Sequence, residues 1–313
     1  MAQLAKNLPA PPTETPRQRI LVIALGALIG FALTVIWSAE FVDQTIGDNV
    51  ANTLLGHDAK ATPITGMATG VLFALVSGVA GTFTACNVAA FSALTPTMAE
   101  GGATAGDRVR GTFRPLALLA AGMIPVSALY GAVVGVVGTD MPQFRAAAAG
   151  GSGIPPRLVQ AMIVFGVIGL IMVVLGLASA GVIKDPLGPL EARFPGAQLV
   201  VMGALIGGFL IGRPFPLFRQ LFRDAAESHN PLYGAAAFVL QSIGNIAIMA
   251  VLLIAIALLT GGRVSRWLTA THRRAGAITT VGYIAAGVFL LLYWDVRLPS
   301  VFEKFWYPLA PWV

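Results

Sequence analysis

Long apolar segments recur along this chain, and they restrict its fold more than any other feature. Several of them reach the ~20 residues that an α-helix needs to span a bilayer. Hydrophobic residues make up 56% of the chain and charged residues only 11%, whereas roughly a quarter of the residues in soluble domains are charged. We therefore predict an all-α, polytopic protein embedded in a lipid bilayer.

The apolar pattern predicts about seven transmembrane helices. They fall at residues 20–39, 65–94, 115–137, 158–183, 196–222, 232–260 and 275–294. The loop before the last helix is the most basic in the chain, with arginines at Arg263, Arg266, Arg273 and Arg274. Because basic loops stay on the cytoplasmic side, we expect a cytoplasmic amino terminus and an external carboxyl terminus, in the cell (plasma or inner) membrane.

The predicted helices divide the chain into five parts. Residues 1–16 are polar and rich in proline, which indicates a disordered tail, and residues 17–40 form an extra transmembrane helix. Residues 61–183 and 196–295 each hold three helices. An odd number of helices forces the two groups into opposite orientations, which is the arrangement of inverted-repeat transporters. Residues 296–313 are predicted to lie as a tail along the outer membrane surface.

One apolar segment in each group is interrupted by residues that a lipid-facing helix does not require. The first segment, residues 71–98, contains a cluster of small and polar residues: Gly78, Gly81, Thr82, Thr84, Cys86 and Asn87. The second, residues 199–223, contains the sequence Gly212-Arg213-Pro214-Phe215-Pro216. Breaks at membrane depth are tolerated only when they are buried in protein or line a cavity. Helix breaks at Gly81, Gly212, Pro214 and Pro216 therefore predict a midplane binding site between two inverted repeats.

Arg213 gives this site its predicted chemistry. A charge within a membrane segment is costly and usually faces a polar cavity. The helix breaks would also direct free N–H groups at that cavity, and together with the guanidinium they favour an anion. The alternative is structural: Arg213 would donate to carbonyl groups exposed at the break, or would lie near the membrane surface.

Further polar residues are candidates for the same site. They are Thr82, Thr84, Cys86 and Asn87 beside the first break, and Gln241 and Asn245 in the sixth predicted helix. Gln241 and Asn245 are four residues apart, so they share one face of their helix. The alternative reading is that these side chains hydrogen-bond or pack between helices. A reactive thiolate is a further alternative for Cys86, since the amino end of a helix lowers the pKa of a thiol.

No metal or cofactor is predicted, and the sequence favours a non-enzymatic role. A single cysteine excludes an internal disulfide, and haem between helices would need axial ligands inside the membrane. The three histidines fall in predicted loops: His57, His229 and His272. No phosphate-binding glycine loop, nucleophile elbow or zinc motif occurs, and the net charge of +6 needs no nucleic acid to explain it.

A gap-free alignment of the two interrupted segments pairs Gly81 with Gly212, Cys86 with Leu217, and Phe91 with Phe222. Over residues 64–294 the pattern resembles the cytochrome c biogenesis transmembrane family, which includes the disulfide-reductase electron carriers CcdA and DsbD. The resemblance implies two inverted three-helix repeats, each with a Pro-Cys type break in its first helix.

In that family two cysteines pass reducing equivalents across the membrane between thioredoxin-like partners. Here Cys86 stands in the first motif, within Thr84-Ala85-Cys86-Asn87, and Leu217 replaces the second cysteine in Phe215-Pro216-Leu217. The resemblance therefore implies a degenerate, single-cysteine member, in which Cys86 would pair with a cysteine of a thioredoxin-like or other redox protein.

Three functions stay open at this point. The first is a carrier that moves a small, anionic or polar solute through the midplane site. The second is a thiol-linked carrier of reducing equivalents, which the cysteine count disfavours. The third is a membrane assembly or accessory subunit that keeps the fold without transporting anything.

Overall fold

A computed structural model describes residues 16–38, 41–80, 105–145, 154–212, 216–260, 263, 267, 272–302 and 305–312. These residues form a helical bundle, and no β-strand occurs among them. The helices are α1 (Pro16–Ile36), α2 (Asn49–Leu55), α3 (Met67–Ala80), α4 (Ala105–Val137), α5 (Pro156–Ser179), α6 (Gly188–Arg193), α7 (Ala197–Gly212), α8 (Pro216–Glu227), α9 (Pro231–Leu259), α10 (His272–Leu291) and α11 (Leu298–Val301). A π-helical segment, Phe41–Asp48, leads into α2, and another, Leu292–Arg297, joins α10 to α11.

Five helical segments in the described ranges are long and apolar enough to cross a membrane. They are Pro16–Ile36, Val109–Asp140, Pro156–Ser179, Pro231–Ile256 and Arg274–Val301. Two shorter apolar helices, Ala68–Ala80 and Ala197–Gly212, are the described beginnings of the two interrupted segments. The prediction of an all-helical, multi-pass membrane architecture is confirmed, and the total of seven spans stays a prediction.

Several helices extend past the apolar runs from which they were predicted. Residues 105–114 and 223–227 are helical although both were assigned to loops, and residues 41–55 are helical within the predicted loop after α1. Residues 296–301 continue the last span, so only the residues after them can form the predicted tail. Hydropathy detects the apolar part of a helix, whereas backbone hydrogen bonding continues into polar residues at its ends.

Two apolar clusters fill the bundle. One joins α4, α5, α7, α9 and α10 and includes Phe165, Phe209 and Tyr283. The other joins α3, α4, α7, α8 and α9, and within it the rings of Phe222 and Phe238 stack with centroids 4.6 Å apart. The second cluster buries the apolar face of α8. The polar face of α8 is therefore left at one end of the bundle.

Glycines allow the helices to cross at very short distances. A Cβ atom on Gly78 of α3 would lie 1.9 Å from the Gln241 carbonyl oxygen of α9, and a Cβ atom on Gly122 of α4 would lie 1.9 Å from the Val200 carbonyl oxygen of α7. No real side chain tolerates such separations. Backbone contact at small residues is a usual way for membrane helices to pack.

The carboxyl-terminal residues hold α1 against the bundle. The buried guanidinium of Arg297 donates to the carbonyl oxygens of Thr34, at 2.7 Å, and Trp37, at 2.8 Å. The backbone N–H of Ala310 donates to the Val35 carbonyl at 3.1 Å. Carbonyl groups in the last turn of a helix lack partners within the helix, and these contacts satisfy them at the end of α1.

Candidate functional site

The second interrupted segment consists of two helices. α7 ends at Gly212 and α8 begins at Pro216, so the rest of the predicted break lies outside the described residues. A Cβ atom on Gly212 would lie 2.9 Å from the ring of Phe165, which places the end of α7 against α5. Gln160 of α5 donates from Nε2 to the Ile211 carbonyl at 2.6 Å. This hydrogen bond links α5 to the last described turn of α7.

A chain of hydrogen bonds leads away from the end of α7. Gln160 Nε2 also donates to the Tyr130 hydroxyl at 3.2 Å, and that hydroxyl donates to Gln143 Oε1 at 2.9 Å. The Nε2 atom of Gln143 is buried and has no hydrogen-bond partner among the described residues. This series of hydrogen bonds therefore begins at the Ile211 carbonyl and ends at Gln143 Nε2, a donor without a described partner.

That donor belongs to the wall of a cavity of about 440 Å³, which we call the basic cavity. Three arginines, one lysine, two glutamines and one phenylalanine line it: Arg157, Arg219, Arg223, Lys60, Gln143, Gln220 and Phe144. No carboxylate is among these lining residues. Arg219 and Arg223 are four residues apart on α8, so they share its polar face. Gln220 fixes the loop before α3 by donating to the Thr62 carbonyl at 2.7 Å.

Among the described residues, three of the four positive charges around the cavity have no counter-charge. Lys60 pairs with Asp48, and this is the one ion pair within the described parts of the chain. Arg157, Arg219 and Arg223 therefore have no carboxylate within salt-bridge distance in those parts. The Nε atom of Arg157 is also buried without a hydrogen-bond partner there. Around the cavity, positive charge that no described carboxylate compensates thus lies next to two buried N–H donors without a described partner.

Arg219 lies on α8, outside the five long apolar spans, and both its burial and its cationic neighbours affect its pKa. Partial burial, and then the positive charges of Arg157 and Arg223, lower the pKa of Arg219. Arginine stays protonated in proteins, so the cations remain charged and their repulsion remains. A pocket walled by charges of one sign concentrates ions of the other. The arrangement favours an anion.

The predicted residues Gln241 and Asn245 lie elsewhere, where α9 crosses α3. Gln241 is buried, and its Oε1 has no partner in the described part of the chain. The backbone N of Asn245 would lie 2.9 Å from a Cβ atom on Gly78. Neighbouring Ser242 shares a 2.6 Å hydrogen bond with Ser127 of α4, which is a link between helices. Neither Gln241 nor Asn245 lines the basic cavity.

The other predicted site residues lie outside the described residues. They are Gly81, Thr82, Thr84, Cys86, Asn87, Arg213 and Pro214. Gly212 and Pro216 are the end of α7 and the start of α8. The predicted roles of all these residues as ligands or helix breaks stay predictions.

The basic cavity was not predicted from the sequence, although the spacing of its two α8 arginines, Arg219 and Arg223, could have been recognised there. Arg219 and Arg223 recur at helical spacing beside the buried Phe218 and Phe222, which is the pattern of an amphipathic helix. That pattern was hidden because the segment was treated as the end of an apolar span. The remaining cations come from distant loops and helix ends, and only the fold brings them together.

The chain matches no family model, no curated protein and no solved structure. The class that the fold defines is a helical, multi-pass membrane protein. The features of this protein that bear on its function are the end of α7 and the basic cavity.

Proposed function

We propose that this protein is an integral membrane carrier for small anions, with a midplane site between two inverted three-helix repeats. The observation that carries the proposal is the basic cavity beside the second interrupted helix, whose three arginines have no counter-charge in the described part of the chain. Arg213, in the residues between α7 and α8, would bind the solute at the midplane. Rocking of one repeat against the other would then open the site to each side in turn.

The helix crossings support the two repeats. In α3 and α9, Gly78 packs against the Gln241 carbonyl while Gly244 packs against the Leu75 carbonyl, with a Cβ–O distance of 2.2 Å for the second contact. On each of the two helices the glycine follows the contacted carbonyl by three positions. The crossing is therefore reciprocal, one glycine on each helix fitting the backbone of the other.

α7 and α4 cross in the same way. Gly203 packs against the Leu119 carbonyl, at 2.0 Å from the Cβ position, while Gly122 packs against the Val200 carbonyl. The spacing of three positions recurs on both helices. The two crossings match if α3, α4 and α5 of one repeat correspond to α7, α9 and α10 of the other.

This correspondence changes the alignment of the interrupted segments. It pairs Gly78 with Gly203, whereas the alignment behind the family resemblance pairs Gly81 with Gly212. In the new register Cys86 corresponds to Ile211 and not to Leu217. In this register no leucine stands in for the second cysteine of a disulfide reductase, which supports the carrier proposal over the thiol-linked one.

The proposed orientation places the basic cavity on the external side of the cell membrane. The basic loop before α10 sets this orientation. In a Cys86→Ser background, an impermeant maleimide on intact cells should label Gly150→Cys and leave Ala270→Cys unlabelled. Labelling of Ala270→Cys with protection of Gly150→Cys would reverse the orientation.

Binding of a small anion is expected to stabilise the purified protein. A ligand present at 100 times its Kd adds about 2.7 kcal/mol to the free energy of unfolding when it binds only the folded state. The measurement is the thermal midpoint in detergent with a panel of mono- and multivalent anions at constant ionic strength. Absence of a shift with every anion in the panel would count against the proposed function.

A further inference from the structure

We propose that the basic cavity binds small solutes that carry two or more anionic oxygen groups, carboxylate or phosphate, and that it captures them before they reach the midplane site. The site is separate from the residues predicted at the helix breaks. The inference rests on the proposed function in one respect, that the ligand captured here is the solute that is transported.

The number of uncompensated guanidinium charges determines which ligand valence binds most favourably. Arg157, Arg219 and Arg223 line one cavity that no described carboxylate lines, while Asp48 pairs with Lys60. A monovalent anion would leave two of the three guanidinium charges repelling each other. A ligand with two or three negative charges neutralises the cluster, so it gains more from binding than a halide or a monocarboxylate does.

The donors around the cavity select the chemistry of the ligand. A guanidinium binds oxyanions through parallel N–H donors and fits carboxylate and phosphate better than it fits a spherical ion. Arg157 Nε and Gln143 Nε2 are buried donors with no partner in the described residues, and leaving such groups unsatisfied is costly. Both atoms are covered in this structure, so ligand oxygens would satisfy them after the two side chains turn toward the cavity.

The size of the cavity favours an organic ligand. Its volume of about 440 Å³ lies within the ≈300–1,000 Å³ typical of sites for small molecules. The exposed Lys60 and Arg223 leave the cavity open to solvent. A di- or tricarboxylate, or a small phosphorylated metabolite, fits these dimensions, and both present the same anionic oxygens.

The hydrogen-bond chain from Gln143 connects this cavity to the end of α7. A ligand that accepts from Gln143 Nε2 orders the amide whose Oε1 accepts from Tyr130, and Gln160 joins Tyr130 to the Ile211 carbonyl. Binding in the cavity thereby favours one arrangement of the side chains that support the end of α7. Gln143 is a positioning residue in this scheme as well as a ligand donor.

The test measures binding to the purified full-length protein by calorimetry and by thermal stability. The probes are chloride, acetate, succinate, citrate, pyrophosphate and short-chain phosphatidylglycerol, at equal ionic strength because exposed charges are screened by salt. Citrate or pyrophosphate should bind at least tenfold more tightly than acetate and chloride. Equal affinity for all anions, or stabilisation by the anionic lipid alone, would overturn the proposal.

A matched pair of double variants locates the site. Arg219→Gln with Arg223→Gln should weaken binding of the preferred anion at least tenfold. Arg110→Gln with Arg114→Gln removes the same charge from exposed arginines, also four apart, on α4 and should change binding less than twofold. Equal weakening in both double variants would mean that net charge and not the cavity attracts the anion.

A neutral variant covers the case in which loss of charge alters folding. Gln143→Leu keeps the net charge and should weaken the same anion severalfold. Because it also removes the acceptor of the buried Tyr130 hydroxyl, its thermal midpoint without ligand should fall modestly, and affinity is compared at a temperature where both proteins are folded. Unchanged affinity in Gln143→Leu would remove the cavity assignment. Binding that depends on the cavity, in a protein that transports nothing, would keep the site and refute the carrier. Transport that is insensitive to all cavity variants would keep the carrier and refute the site.

Discussion

Replacing Arg213 by leucine is expected to abolish anion uptake and to leave the protein folded. A charge at membrane depth costs ~2.5–3.5 kcal/mol on insertion scales, so leucine should insert at least as easily as arginine. If Arg213 binds the solute, its loss removes the charge that holds the anion between the repeats. Uptake by cells with matched amounts of protein should fall to the level of cells that lack it, while the thermal midpoint stays equal or rises.

Two companion variants separate charge from backbone geometry. Arg213→Lys keeps the charge without the planar fork, so partial uptake with weaker apparent affinity is expected. The double variant Pro214→Ala with Pro216→Ala would let the helix close over the break and use its free N–H groups internally. It should fold and fail to bind. Wild-type uptake by Arg213→Leu would show that this arginine has no part in transport.

Gly122→Ala is expected to be among the most destabilising single-methyl additions in this chain. Its Cβ atom would lie 1.9 Å from the Val200 carbonyl oxygen and 2.8 Å from the Ala204 amide nitrogen. Backbone atoms at a helix crossing cannot move aside as a flexible side chain does, so α4 and α7 would have to separate. Overpacking costs about 1–3 kcal/mol in ordinary cores, and we expect the upper end of that range or loss of folded protein.

Gly111→Ala is the matched control because it adds the same methyl group to the same helix. Nothing lies within 4 Å of the Cβ position at Gly111. Alanine in a helix is favoured over glycine by about 0.4–1 kcal/mol where the site has room. The comparison uses folded yield in detergent and the thermal midpoint. Equal midpoints for the two variants would mean that α4 and α7 do not cross as closely as described.

The membrane architecture could be predicted from the sequence because it depends on local composition. A run such as residues 158–183 is apolar over the full thickness of a bilayer, and no tertiary information is needed to assign it. The second interruption is also marked in the sequence: Gly212 is the last described residue of α7 and Pro216 the first of α8, while their role as helix breaks stays a prediction. Helix ends were less predictable, because polar residues such as Arg110 extend α4 beyond its apolar part.

The candidate site could be predicted only in part, since it is assembled from four separate regions. Lys60, Gln143 and Arg157 come from different connections or helix ends, and Arg219 from the polar face of α8. Because these residues are far apart in the sequence, no local pattern indicates that they come together in the fold. The repeat register was missed for a similar reason: the glycines at positions 78 and 203 are equivalent through the carbonyls that they contact, and sequence alone does not show those contacts.

Uptake of labelled anions into proteoliposomes would show whether this protein carries anions across a membrane. The purified protein would be reconstituted alone, and the internal concentration of citrate, succinate, phosphate, pyrophosphate and chloride would be followed over time. We expect saturable uptake of at least one multivalent oxyanion, competition by others of that class, and loss of uptake in Arg213→Leu. Uptake of every anion at the rate of protein-free liposomes, by protein shown to be folded, would contradict it.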